Sequence, residues 1–93
     1  MSDEPVEFPI NGILDLHTFH PRDVKDLVPE YLSECLLRDI YRVRIIHGKG
    51  TGTLRRIVHS ALEKSELVED FNLAGEQEGG WGATVVHLKH SKQ

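Results

Sequence analysis

The segment "RVRIIHGKGTGTLRRIVHSAL", residues 42–62, carries a strand, a glycine-rich turn and the start of a helix in one run. The β-branched Val43, Ile45 and Ile46 favour extended chain. Leu54, Ile57, Val58, Ala61 and Leu62 then recur at helical spacing, so an amphipathic helix follows. Between the two, Gly48, Gly50 and Gly52 alternate with His47, Lys49 and Thr51. Such a stretch is poor helix and poor strand, and it lets another group approach the backbone closely. Thr51, Gly52 and Thr53 are the candidate helix caps. A strand that passes through a tight turn into a helix is the signature of an α/β unit.

Upstream, "NG" at Asn11-Gly12 marks a turn. "ILDLH" alternates after it, with Leu14 and Leu16 on one face and Ile13, Asp15 and His17 on the other. "HPRDVKDLVPEYLSECLLRD" reads as a helix because Val24, Leu27, Val28, Tyr31, Leu32, Cys35 and Leu36 form one apolar stripe. Pro21 suits its first position and Asp23 its positive end. Pro29 conflicts with it and predicts a kink or a restart. Downstream, "LVEDFNLA" and "ATVVHLK" flank the loop "GEQEGGWG" and read as a hairpin. The order is β-α-β-α-β-β, a two-layer α/β sandwich with a mixed four-stranded sheet and both helices on one face.

The chain has 93 residues, enough for one domain with a modest core. The boundaries read as a flexible arm over residues 1–11, the domain over 12–90 and a tail over 91–93. No apolar run is long enough to span a membrane. The acidic N-terminus with its two prolines does not resemble a signal or transit peptide, and the single Cys35 fits a reducing compartment, so the cytoplasm is the expected location. The formal net charge of −4 argues against a purely electrostatic nucleic-acid binder. The charge is uneven, however: Arg38, Arg42, Arg44, Lys49, Arg55 and Arg56 are opposed only by Asp39 between residues 38 and 59. That distribution suits an anionic ligand, or a solvated helix face and strand edge.

His17 and His47 each end a strand, and parallel neighbours would open both ends on the carboxyl edge of the sheet, where ligands bind in such folds. The glycine turn then delivers free backbone N–H groups and a positive helix end to the same place, a phosphate site. Arg55 and Arg56 in the first turn oppose the helix dipole, a cost that a bound anion offsets. The turn fits neither GxxxxGK[ST] nor GxGxxG, and a tight strand-to-helix connection accounts for it as well. Asp15 and His17 share a strand face, so the carboxylate can orient the imidazole for general base work. "HTFH" invites a metal reading, but His17 and His20 alone fall short of a four-ligand zinc site. His20 then belongs to the helix cap region. His59 falls on the polar side of the second helix, His87 on a sheet face, and Trp81 is a packing residue or a stacking platform.

"LDLH" at 14–17, "IIHGKGTGTLR" at 45–55 and "GGWGATVVHL" at 79–88 together resemble the Smr domain, the small MutS-related family, over about residues 12–89. The resemblance implies a two-layer α/β sandwich similar to the C-terminal domain of translation initiation factor three. It also implies nuclease activity on DNA or RNA, and nucleic-acid or ribosome-linked roles. The family's LDLH motif falls on Asp15 and His17, and its HGxGxG motif on His47, Gly48, Lys49, Gly50, Thr51 and Gly52. Where the family often has a glycine, this chain has Thr18, a side chain that would reshape the floor of the site.

Two readings stand. In the first, Gly48, Lys49, Gly50, Thr51, Gly52, Arg55 and Arg56 hold the phosphate of DNA or RNA, His17 with Asp15 acts as general base in an endonuclease, and His47 stabilises charge or serves as acid. In the second, the chain is a non-catalytic nucleic-acid or ribosome-associated module. Neither requires a metal or another cofactor, neither involves a membrane, and a monomer is the default.

Overall fold

Alternation in the first strand sets the layers. The computed structural model describes residues 10–50, 52–76 and 80–90, with Trp81 described by its backbone alone. Strand β1 (Ile13–Asp15) leads to helix α1 (Pro21–Leu37), strand β2 (Arg42–Ile46), helix α2 (Thr53–Lys64), strand β3 (Val68–Leu73), a 3₁₀ turn at Gly80–Gly82 and strand β4 (Ala83–Leu88). Leu14 and Leu16 are buried while Ile13, Asp15 and His17 are exposed, as alternation requires.

The sheet order is β1-β2-β4-β3. β1 runs parallel to β2, and β4 is antiparallel to both of its neighbours. The expected mixed sheet of four strands is therefore present, with the hairpin placing β4 inside and β3 at the edge. Register sorts the residues by face: Leu14 lies opposite Ile45, Ile45 opposite Thr84, and Val43 opposite Val86. Leu14, Val43, Ile45 and Val86 join Val24, Val28, Leu32, Val58 and Leu62 of the two helices in one core. Leu16 and Leu32 are wholly inaccessible, so truncating either to Ala is expected to cost about 2–5 kcal/mol. On the other sheet face, Ala74, Ala83 and Val85 form a small cluster with Ile46.

Tyr31 ties the start of β1 to α1. Its hydroxyl accepts from the Gly12 N–H at 3.1 Å and donates to the Ile13 carbonyl at 3.2 Å. Burial pushes its pKa up, so the hydroxyl stays protonated. α1 runs as one helix through Pro29, so of the expected kink or restart the restart does not occur, because Pro29 sits on the exposed side and the buried stripe on both sides of it holds the helix together. His20 is the residue before the helix, as expected, and makes no side-chain cap. Among the described residues no helix is long and apolar enough to cross a membrane. Ile10 packs against the core, and residues 1–9 and 91–93 of the expected arm and tail lie outside the described residues.

Candidate functional site

Parallel pairing of β1 and β2 brings their carboxyl ends together. The Leu16 N–H donates to the Ile46 carbonyl at 2.7 Å, one residue beyond the end of β1. His17 therefore emerges beside Gly48, where an added Cβ would stand 3.8 Å from that of His17. His17, His47, Gly48, Gly50, Gly52 and Arg55 all line one cleft of about 480 Å³. Thr18 is exposed and is not among the lining residues, so it does not form the floor expected of it.

Asp15 and His17 form a pair. Asp15 Oδ1 accepts from His17 Nδ1 at 2.5 Å and from the His17 backbone N–H at 3.1 Å. The hydrogen bond from His17 holds the Asp15 carboxyl below its ordinary range. An ionised carboxylate only accepts, so Nδ1 carries the proton and Nε2 carries the lone pair of a neutral ring. The side chains are 59% and 50% exposed, which leaves that lone pair within reach of a ligand.

His47 is differently placed. It is buried, its Nδ1 lies 3.1 Å from the Gly48 carbonyl and its Nε2 lies 2.8 Å from Thr84 Oγ1. A carbonyl only accepts, so Nδ1 is the protonated nitrogen and Nε2 must accept from the Thr84 hydroxyl. The hydroxyl oxygen then accepts from His59 Nε2 at 2.7 Å. Proton positions are thus fixed along a chain from His59 through Thr84 to His47 and the glycine turn. Burial lowers the pKa of both imidazoles, with the nearby Arg55 adding to the effect. The expectation of His59 on a polar helix face is corrected, since it is half-buried with its ring edge-on to Phe71, 5.0 Å between centroids. Sequence periodicity placed His59 off the apolar stripe and gave Thr84 no role, because only the sheet register brings them together.

Gly48 and Gly52 have φ of +83° and +89°, where a side chain is strained. Gly52 caps α2 without a side-chain bond. Gly50 has neither a positive φ nor any atom within 4 Å of an added Cβ, so nothing in the fold demands a glycine there. Gly82 completes the turn: its carbonyl accepts from the N–H groups of His47 and Gly48, both at 2.8 Å. Lys49 is exposed with its stem beside Gly82 and is not among the residues lining the cleft. Arg55 lines the cleft, whereas Arg56 lines a second groove between α1 and α2. The seven residues expected to hold a phosphate therefore divide. Gly48, Gly50, Gly52 and Arg55 gather, Lys49 and Arg56 lie to either side, and Thr51 is outside the described residues. Among the described residues, no group of three or more His, Cys, Asp or Glu side chains is arranged to hold a metal ion.

A model of the Smr domain family matches residues 14–89. The protein "Endonuclease MutS2" of Thermomicrobium roseum is 41% identical over 76 residues, covering 82% of this chain and 10% of that protein. Its counterpart in Brevibacillus brevis is 42% identical over 76 residues, with the same coverage of 82% and 10%. The chain thus spans about a tenth of the length of these relatives. The crystal structure of the Smr domain of Thermus thermophilus MutS2 superposes with a TM-score of 0.80 at 35% identity, covering 85% of this chain and 99% of that one. YdaL, a stand-alone small MutS-related protein from Escherichia coli, superposes with a TM-score of 0.80 at 26% identity, covering 89% and 68%.

Proposed function

The chain belongs to the Smr domain family, and from that premise we propose that it binds a nucleic-acid strand across the glycine-rich cleft and cleaves a phosphodiester bond there. The observation that carries the reading is the Asp15–His17 pair, held at 2.5 Å beside the turn that leads into α2. Beyond its two chain neighbours, Gly50 has no atom within 4 Å of where a Cβ would stand, which leaves its backbone open to a phosphate oxygen, and the start of α2 offers that oxygen a positive helix end with no side-chain cap. Arg55, in the first turn of α2, adds positive charge beside it.

His17 Nε2 takes a proton from a water or a sugar hydroxyl as that oxygen attacks phosphorus. A bond from the attacking oxygen to phosphorus forms, and the bond from phosphorus to the leaving sugar oxygen breaks. The leaving oxygen takes a proton from solvent. Asp15 keeps the proton of the neutral ring on Nδ1 and balances the charge gained by the imidazole. Arg55 and the first N–H groups of α2 stabilise the charge that builds on the phosphoryl oxygens. His47 acts as a positioning residue, with its Nδ1–H fixing the Gly48 carbonyl at the turn. The names of the MutS2 relatives, as endonucleases, support the same reaction class.

The test is incubation of the purified chain with end-labelled single- and double-stranded DNA and RNA, with and without chelator. Cleavage is expected, and His17→Ala is expected to slow it by about 100- to 10,000-fold with little change in affinity. Binding without cleavage of any substrate would leave a non-catalytic module. Cleavage that survives His17→Ala but stops with chelator would move the role of base to a metal-bound hydroxide.

A further inference from the structure

The cleft does not end at the helix start. Thr53 lines both the cleft and the second groove, a depression of about 580 Å³ between α1 and α2. On α1, Pro21 borders the cleft and Lys25 and Pro29 border the groove, spaced four residues apart along one face. On α2, Arg56, Ser60 and Lys64 form the matching row. Ile57 and Ala61 make the floor. Each row covers about eight residue-to-residue steps, about 12 Å at 1.5 Å per residue.

The charges along this groove are one-sided. Lys25, Arg56 and Lys64 border it with Asp26 as the single acid, a local balance of +2 on a chain of net charge −4. Among the described residues, none of these three cations forms an ion pair. The nearby Glu63 acts instead on His59, on the flank of α2 that faces β3. Three unpaired cations on the two rims of one groove, Lys25 on α1 and Arg56 and Lys64 on α2, are complementary to a regular polyanion. A nucleic-acid strand carries a charge about every 3.4 Å along its axis, so the groove has room for about three phosphates.

We infer that the α1–α2 groove is a second nucleic-acid subsite, in which Lys25, Arg56 and Lys64 hold the backbone of the strand after it leaves the glycine-rich cleft past Thr53. The inference rests on the reading of that cleft as a nucleic-acid site. It assigns the consecutive arginines different phosphates, Arg55 at the reacting bond and Arg56 downstream.

Fluorescence anisotropy with labelled single-stranded oligonucleotides tests it, one of about six nucleotides that fills the cleft and one of about eighteen that also reaches the groove. The variant Lys25→Gln/Arg56→Gln/Lys64→Gln changes only exposed side chains. It is expected to bind the short oligonucleotide like the parent chain and to bind the long one at least about tenfold more weakly, its log–log salt slope shallower by about 2. If the parent binds the long oligonucleotide and the variant matches it in affinity and slope, the groove does not carry the strand, and the cleft reading is untouched. A groove serving a protein partner would give that same result. If the parent binds neither oligonucleotide, the cleft reading itself fails and takes this inference with it.

Discussion

Thr84 has one hydroxyl and two imidazoles to satisfy. The assignment that satisfies all three keeps His47 neutral, with its proton on Nδ1, and places a proton of His59 on Nε2. Replacing Thr84 with Val keeps the shape and removes the link, leaving the Nε2 of buried His47 without a partner. The expected loss is about 1–3 kcal/mol, read as a lower urea midpoint at unchanged m-value. The same residues set an acid limit. Burial lowers both histidine pKa values in the folded chain, so the unfolded chain takes up these protons first. Their contribution to stability is complete above the ordinary histidine value of about 6.5 and is lost as pH falls from there through the lowered folded values. Urea midpoints should decline as pH falls below about 6.5, and His59→Gln should flatten that decline. Asp15 titrates elsewhere, because its lowered pKa gives stability that is present above the carboxylate range and is lost only in stronger acid. A decline confined to that lower window would show that the histidine chain does not control acid stability.

The turn between β2 and α2 separates glycines the fold requires from one it does not. Gly52→Ala should destabilise by about 1–2 kcal/mol, since a side chain at φ +89° is strained and the Arg55 guanidinium, 3.2 Å from the new Cβ, must move. Gly50→Ala should leave the melting temperature in place and weaken nucleic-acid binding, because beyond its chain neighbours its Cβ meets no atom within 4 Å and stands where a ligand would approach. A Gly50→Ala variant with the parent's affinity would remove the turn from the binding surface. The sequence announced this element well. Strand alternation and helical spacing are local signals, and Asp15 and His17 share a face by strand period alone. The parting of Arg55 and Arg56 was also legible in principle, since successive helical residues lie about 100° apart. What local pattern missed was tertiary. Gly82 lends its carbonyl to the turn from 34 positions away, and Thr84 meets His47 only through β2–β4 register. The choice between a kink and a restart at Pro29 was open for a related reason, since core contacts outweigh one lost backbone bond and keep α1 a single helix.

An acidic molecule with a basic tract should not bind nucleic acid with one uniform dependence on salt. The cations from Arg38 to Arg56 sit on a chain whose acids crowd the N-terminal third and the stretch from Glu63 to Glu78. The molecule measures 39 × 38 × 25 Å. At about 10 mM salt the Debye length is about 30 Å, so a strand in the cleft feels most of the molecule, including the excess of acid. At about 150 mM salt the length falls to about 8 Å, and the strand feels little beyond Arg55, Arg56, Lys25 and Lys64. Added salt therefore does two opposing things at the low end. It relieves repulsion from the distant acids, and it competes with the local cations for phosphates. Above about 100 mM only the competition remains, and four contacts to a single strand give a log–log slope of about −2.8. The plot of affinity against salt should accordingly be shallow, or pass through a maximum, near the low end and steepen to that value. Anisotropy titrations from about 10 to about 300 mM salt with the long oligonucleotide measure it directly. A straight line at full slope down to the lowest salt would mean that the acids do not act on the bound strand, and that the uneven charge read from the sequence has no part in how the chain meets nucleic acid.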